Sequence, residues 1–191
     1  MTNVDGSHTS DSGYSLTEMM FVLGLLAVVT TMAVAQINVS KPGLKGDGAM
    51  RILLGQLNQA RESAITQRKY VRVVLTVPDK IEIVREDTPT TTTSLSTVWI
   101  EGGAHFAKVD GIPDTPEGFA LGQSGAIALG SAIDVKFSPD GTMVNQDGAS
   151  ANGTAFLAIA GQALSARAVT ILGSTGRIRG YKWNGSKWKR V

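Results

Sequence analysis

The sequence predicts an α+β fold in which an N-terminal transmembrane and amphipathic helix packs on an antiparallel β-sheet. Three observations carry this. Apolar residues concentrate in an uncharged run from Met19 to Ile37; from Met50 to Ile65 they recur at three-to-four spacing; and from Tyr70 the pattern changes to short alternating runs divided by turns. A chain of 191 residues holds one domain with its own core beside an anchor, so one folded domain is expected.

Residues 1–12 are small and polar with no hydrophobic period, and they read as a disordered tract. The 19-residue run Met19 to Ile37 follows Gly13-Tyr14-Ser15-Leu16-Thr17-Glu18. As a helix it covers about 28 Å, near the thickness of the bilayer hydrocarbon. Three readings compete: a buried core helix, a cleaved secretory signal, and a retained membrane helix. Ala33-Val34-Ala35 resembles a secretory cleavage site, and cleavage there would release a soluble secreted binding domain. Against that reading, residues before the run include no Lys or Arg and carry Asp5 and Asp11. Against the core helix, Met19 to Val29 shows no polar face.

Glu18 decides for the retained helix. An ionised acid costs about 2.5 to 3.5 kcal/mol at the centre of a membrane helix, so a carboxylate at its edge calls for a cation. Gly13 followed by Tyr14-Ser15-Leu16-Thr17-Glu18 and an apolar helix resembles the prepilin cleavage motif of type IV pilins and type II secretion pseudopilins. The resemblance implies cleavage between Gly13 and Tyr14 by a prepilin peptidase on the cytoplasmic side, with N-methylation of Tyr14. It also implies pairing of Glu18, the fifth mature residue, with the N-terminal amine of a neighbouring subunit, which compensates the carboxylate in an apolar bundle. Tyr14 stands where Phe is more usual, and the leader lacks the usual basic residues. The implied organisation is a leader over residues 1–13, a transmembrane helix over 14–39, a hinge over 40–48 and a periplasmic domain over 49–191.

The hinge follows from Pro42 and from Gly43, Gly46 and Gly48, which should break or loosen a helix. A phosphate-binding reading of these glycines fails because they follow a membrane helix and not a strand. Asp47 can cap a second helix whose stripe is Met50, Leu53, Leu54, Leu57, Ala60, Ala64 and Ile65. Arg51, Gln59, Arg61, Glu62 and Arg68 fall on its other faces, with solvation as their expected role. Tyr70 to Val77 and Lys80 to Arg85 form a hairpin about Pro78-Asp79. Thr88 to Thr97 reads as a loop of weak strand tendency. Further strands are expected at Thr97 to Glu101, Ala132 to Phe137, Thr154 to Ala160 and Arg167 to Leu172, with a turn at Pro139-Asp140-Gly141. This order resembles the H-type minor pseudopilins and the related FimT and FimU minor pilins.

A net charge of +2 hides an asymmetry, because no acid follows Asp147. From Arg167 onward there are seven basic residues; of 18 in all, 11 remain to face 16 acids. A basic tail on an acidic body points to a polyanionic partner, or to lysines guarding an open sheet edge. Asn184-Gly185 favours a two-residue turn, which sets Trp183 opposite Ser186, Lys182 opposite Lys187, Tyr181 opposite Trp188 and Arg179 opposite Arg190. Arg177, Arg179, Tyr181, Trp183, Trp188 and Arg190 then share a face. Arg177 and Arg179, about 7 Å apart, can hold successive anionic groups, and Lys182 facing Lys187 calls for a negative group between them. Gly176-Arg177-Ile178-Arg179 resembles the Gly-Arg-x-Arg motif of FimT-type minor pilins, which implies DNA binding in natural transformation. The DNA-binding set is Arg177, Arg179, Lys182, Trp183, Lys187, Trp188, Lys189 and Arg190, acting on phosphates with little sequence preference. The alternative is that both tryptophans are core or edge-packing residues.

An enzyme is not expected. The chain has no cysteine, His8 lies in the leader, His105 stands without a metal-ligand pattern, and no Gly-x-Ser-x-Gly elbow occurs. Neither a cofactor nor a metal is implied. The reading is a single-pass inner-membrane subunit with its C-terminal domain in the periplasm. It assembles with other pilins or pseudopilins into a type IV pilus, at its shaft or tip, or into a type II secretion filament. An H-type pseudopilin without DNA binding is the alternative.

Overall fold

The structure, a computed structural model, describes residues 13–88, 90–129 and 134–191. Residues 1–12 of the expected leader, and the first two residues of the strand expected from Ala132, lie outside the described residues. Helix α1 runs Leu16–Gln67, and the chain divides between Ser40 and Lys41 into two compact units.

In the first unit, every described side chain from Gly13 to Ala33 is exposed. Leu16–Ala33 is an 18-residue stretch long and apolar enough to cross a membrane. Two of its three threonines return their hydroxyls to the helix: Thr30 Oγ1 donates to Leu26 O at 2.8 Å, and Thr31 Oγ1 donates to Ala27 O. That removes polar groups from an otherwise apolar cylinder.

The second unit places the remainder of α1 on two antiparallel sheets. One has the order β3 (Thr91–Trp99), β2 (Lys80–Thr88), β1 (Val71–Thr76), β6 (Asp134–Phe137), β7 (Met143–Val144). The other has the order β11 (Trp188–Arg190), β10 (Arg177–Trp183), β9 (Gln162–Leu172), β8 (Gly153–Ile159), β4 (His105–Phe106), with β5 (Ile127–Leu129) also pairing β8. The expected stripe does bury Met50, Leu53, Leu57, Ala60 and Ala64, although Ile65 stays 43% exposed. They meet Val71, Val73, Leu75, Ile81, Ile83, Phe137, Leu157 and Ile171 in the main core. Each large side chain buried there contributes about 1.5 to 3 kcal/mol. Strand alternation is visible in β1, where Val71, Val73 and Leu75 are buried between less buried neighbours.

β8 and β9 do not alternate, because both of their faces are covered. Their second face packs Phe156, Ala158, Ala166 and Ala168 with Tyr181, Trp188 and Ala120 beneath the irregular segment 107–126. The loop expected at Thr88 to Thr97 is mostly strand β3. Its Thr and Ser residues lack an apolar face because it lies at a sheet edge, bonded to β2 alone.

The expected break at residues 40–48 is absent. Pro42 lies inside α1, and Asp47 is no cap. Gly43 and Gly46 serve contact with β9. A Cβ on Gly46 would stand 2.3 Å from Ser165 O, so only glycine lets the helix approach so closely. Arg167, 3% exposed, donates from Nη2 to Gly43 O at 2.8 Å and from Nε to Asp47 Oδ1 at 2.6 Å. Its Nη1 donates to Leu164 O and Ala166 O, both at 2.9 Å. Arg61, expected to be merely solvated, instead donates from Nε to Gly141 O at 2.9 Å and from Nη2 to Thr175 O at 3.0 Å. It thereby ties the helix to the β6–β7 turn and to the 3₁₀ turn Gly173–Thr175. That β6–β7 turn is the expected Pro139-Asp140-Gly141 turn. Ser138 Oγ, the Thr142 amide and Thr142 Oγ1 all donate to Asp140, which lowers its pKa to about 2.

Gly46 and Gly55 allow the contact argument to be separated from helix propensity. Gly55→Ala, with nothing within 4 Å of the new methyl, should gain about 0.5 to 1 kcal/mol in denaturant unfolding. Gly46→Ala should instead lose about 1 to 3 kcal/mol, because the added methyl forces the helix off β9. Equal stabilisation of both variants would mean that α1 does not bear on Ser165.

Candidate nucleic-acid interface

Strand β10 begins after Gly176, whose φ of 60° and close packing leave no room for a side chain: a Cβ would lie 1.8 Å from Gly141 O. At Gly180 a Cβ would meet Met50 Sδ at 3.0 Å and Leu54 Cδ1 at 3.2 Å, so this face of β10 lies under the helix. Arg177, Arg179, Tyr181 and Trp183 take the opposite face.

The hairpin register differs from expectation. Trp183 pairs with Trp188, Lys182 with Lys189 and Tyr181 with Arg190, which leaves a four-residue connection, Asn184 to Lys187. Asn184 lengthens it. Its Oδ1 accepts from the Ser186 and Lys187 amides at 3.0 and 2.8 Å, and its amide donates to Lys187 O at 3.2 Å. Asn-Gly here closes a side-chain-stapled loop, with Gly185 at φ 100°, and not a two-residue turn. The slip is two residues, so the faces are preserved: Arg177, Arg179, Tyr181, Trp183, Trp188 and Arg190 still share a side.

That side is not the open aromatic and cationic surface the spacing predicts. Tyr181 is 5% exposed and Trp188 9%. Trp188 donates from Nε1 to Pro113 O at 2.9 Å and stacks edgewise on Trp183, 5.5 Å between ring centroids. Trp188 is therefore a core residue, and only Trp183 is half-exposed.

Nor are the two arginines without an acid. Glu117, 60 residues upstream of Arg177, brings Oε1 to 2.8 Å from Arg179 Nη1 and 3.4 Å from Arg177 Nη2. Its side chain is 11% exposed, against 46% for Arg177 and 25% for Arg179. Nothing in the sequence spacing signals this partner, because it arrives through the fold of segment 107–126.

On the helix-facing side, Arg167, Lys182 and Lys189 stand side by side across β9, β10 and β11. Arg167 is answered by Asp47. Lys182 and Lys189 have no ion pair among the described residues, nor have Lys187 and Arg190. Lysines directly opposite each other repel, so the strand end is set to accept a negative group. Lys187, Lys189 and Arg190 are exposed and Lys182 is half-buried.

At the other end of the chain, Gly13 and Tyr14 precede α1 in irregular conformation, and Tyr14 is 79% exposed. Glu18 lies in the first turn of α1, where the unpaired amides favour an acid. His105 Nδ1 stands 4.0 Å from Asp79 Oδ2. Among the described residues no group of three or more His, Cys, Asp or Glu side chains could hold a metal ion.

The chain matches no protein-family model and no curated protein. Two solved structures are similar, both of the type IV minor pilin FimU of Pseudomonas aeruginosa strain PAO1. One, in space group P21, shows 16% identity and a TM-score of 0.49, covering 75% of this chain and 91% of that one. The other, in space group P65, shows 16% identity and a TM-score of 0.48, covering 75% of this chain and 96% of that one.

Proposed function

We propose that the chain is a minor pilin or pseudopilin. It is held in the inner membrane by the start of α1 with its second unit in the periplasm, and it assembles with other pilins and binds DNA through the C-terminal hairpin. The observation that carries the filament reading is the exposed apolar span Leu16–Ala33 with one carboxylate, Glu18, at its start and Gly13 just before. A lone acid in an 18-residue, predominantly apolar span has no counter-charge of its own there. The N-terminal amine that cleavage after Gly13 would create on a neighbouring Tyr14 supplies one. A prepilin peptidase is the partner that this chemistry requires.

The DNA reading is supported by the unanswered cations of the hairpin. Lys182, Lys187, Lys189 and Arg190 lie within nine residues at the free end of a sheet. They are contacts for phosphates and offer no means of reading bases. Glu117 favours a second reading, an H-type pseudopilin without DNA binding, since it offsets Arg177 and Arg179.

Glu18→Ala should leave a folded, membrane-resident subunit that no longer enters filaments, scored by shearing and immunodetection in a host that assembles them. Normal entry would contradict the proposed pairing. For DNA, the full chain in neutral-detergent micelles should bind duplex of any sequence weakly, with affinity falling steeply as salt rises. Lys187→Gln with Lys189→Gln and Arg190→Gln should flatten the salt slope by up to about three units. Absence of binding at low salt would favour the pseudopilin reading.

A further inference from the structure

Glu117 is well placed to do more than balance charge. It sits at the tip of a turn whose fastening is independent of the arginines. Asp114 Oδ1 accepts from the Thr115 amide at 2.6 Å, and Asp114 Oδ2 accepts from the Ala120 amide at 2.9 Å. The Gly118 amide donates to Thr115 O at 2.9 Å with Gly118 at φ 71°, and Trp188 holds Pro113 O. A carboxylate presented by so constrained a turn can leave its partners without unravelling the backbone that carries it.

Its fit to the two guanidinium groups is incomplete. A single oxygen, Oε1, serves both, at 2.8 and 3.4 Å, while Oε2 accepts no hydrogen bond among the described residues. Arg179 Nε is buried and has no hydrogen-bond partner. A buried donor left unmet is destabilising. A phosphate group, with several acceptor oxygens in a tetrahedron, can meet both arginines and Nε together, which one carboxylate oxygen cannot.

We infer that Arg177 and Arg179 form a site for a phosphoryl anion that Glu117 occupies from within, so that an incoming phosphate must displace Glu117. The inference rests on the DNA-binding reading for its biological ligand, a phosphodiester backbone, but the site's chemistry is testable apart from DNA. Glu117 then acts as a selectivity gate. A single weak anion does not dislodge it, whereas a polyanion already held by Lys182, Lys187, Lys189 and Arg190 presents phosphates at high local concentration. Glu117 also keeps the arginine pair from holding stray anions before DNA arrives.

The experiment uses the full chain in neutral-detergent micelles, wild type and Glu117→Gln, which keeps the shape and removes the charge. Glu117→Gln should raise duplex affinity on the order of tenfold at moderate salt and steepen the salt slope by up to about two units, as two phosphate contacts become available. Adding Arg177→Gln and Arg179→Gln to that variant should abolish the gain. In parallel, pyrophosphate is titrated while the arginine Nε–H signals are followed by NMR. The Arg177 and Arg179 signals should move in Glu117→Gln at concentrations that leave the wild type unchanged. If both proteins bind DNA alike and pyrophosphate moves neither, Glu117 is only a fastening and the inference fails while the DNA reading stands. If neither binds DNA but pyrophosphate moves the arginines of Glu117→Gln, the anion site stands and the DNA reading fails.

Discussion

A guanidinium withdrawn from water is tolerated only where its donors are met and a carboxylate answers its charge. Arg167 obtains both at the seam between α1 and β9. Asp47 supplies the charge, and the carbonyls of Gly43, Leu164 and Ala166 receive the remaining donors. The contact fixes where the helix lies along the second sheet. Gly46 and Gly180 then allow the approach, and Met50, Leu53 and Leu57 fall into place over the core. About four turns further along the helix from Asp47, Arg61 repeats the device with carbonyls alone. By holding Gly141 and Thr175 it joins turns that belong to the two different sheets.

With the helix covering one face of β8–β10, the other face is left to segment 107–126, and this decides what the C-terminal hairpin can offer. Trp188 and Tyr181 are consumed by the second cover, and Glu117 rides on that cover to the arginine pair. The cations left for a partner are those at the hairpin's end and on its helix-facing strand positions. The basic tail is thus divided by the fold into an answered part, Arg167, Arg177 and Arg179, and an unanswered part, Lys182, Lys187, Lys189 and Arg190.

Periodic features were legible in the sequence. The stripe from Met50 to Ala64, the hairpin about Pro78-Asp79 and the turn at Pro139-Asp140-Gly141 each depend on residues close in sequence, and each is present. What escaped depends on contacts made across the fold. Gly43 and Gly46 looked like helix breakers because their role in the helix is set by β9, more than 100 residues away. β3 looked like a loop because an edge strand needs no apolar face. The hairpin register slipped because Asn184 bonds its own loop instead of a tight turn. Glu117 left no local trace at all, and segment 107–126 has no period by which its covering role could be read.

The reading of the chain as an anchored subunit turns on where its mature N-terminus lies. Intact mass and N-terminal sequencing of the full-length protein, expressed with a prepilin peptidase and extracted from membranes, measure this directly. A chain beginning at Tyr14, with Glu18 as its fifth residue and the apolar span retained, is the expected result. A chain beginning at Gln36 and recovered in the soluble fraction would contradict it, because nothing would then remain to hold the subunit in a membrane or a filament.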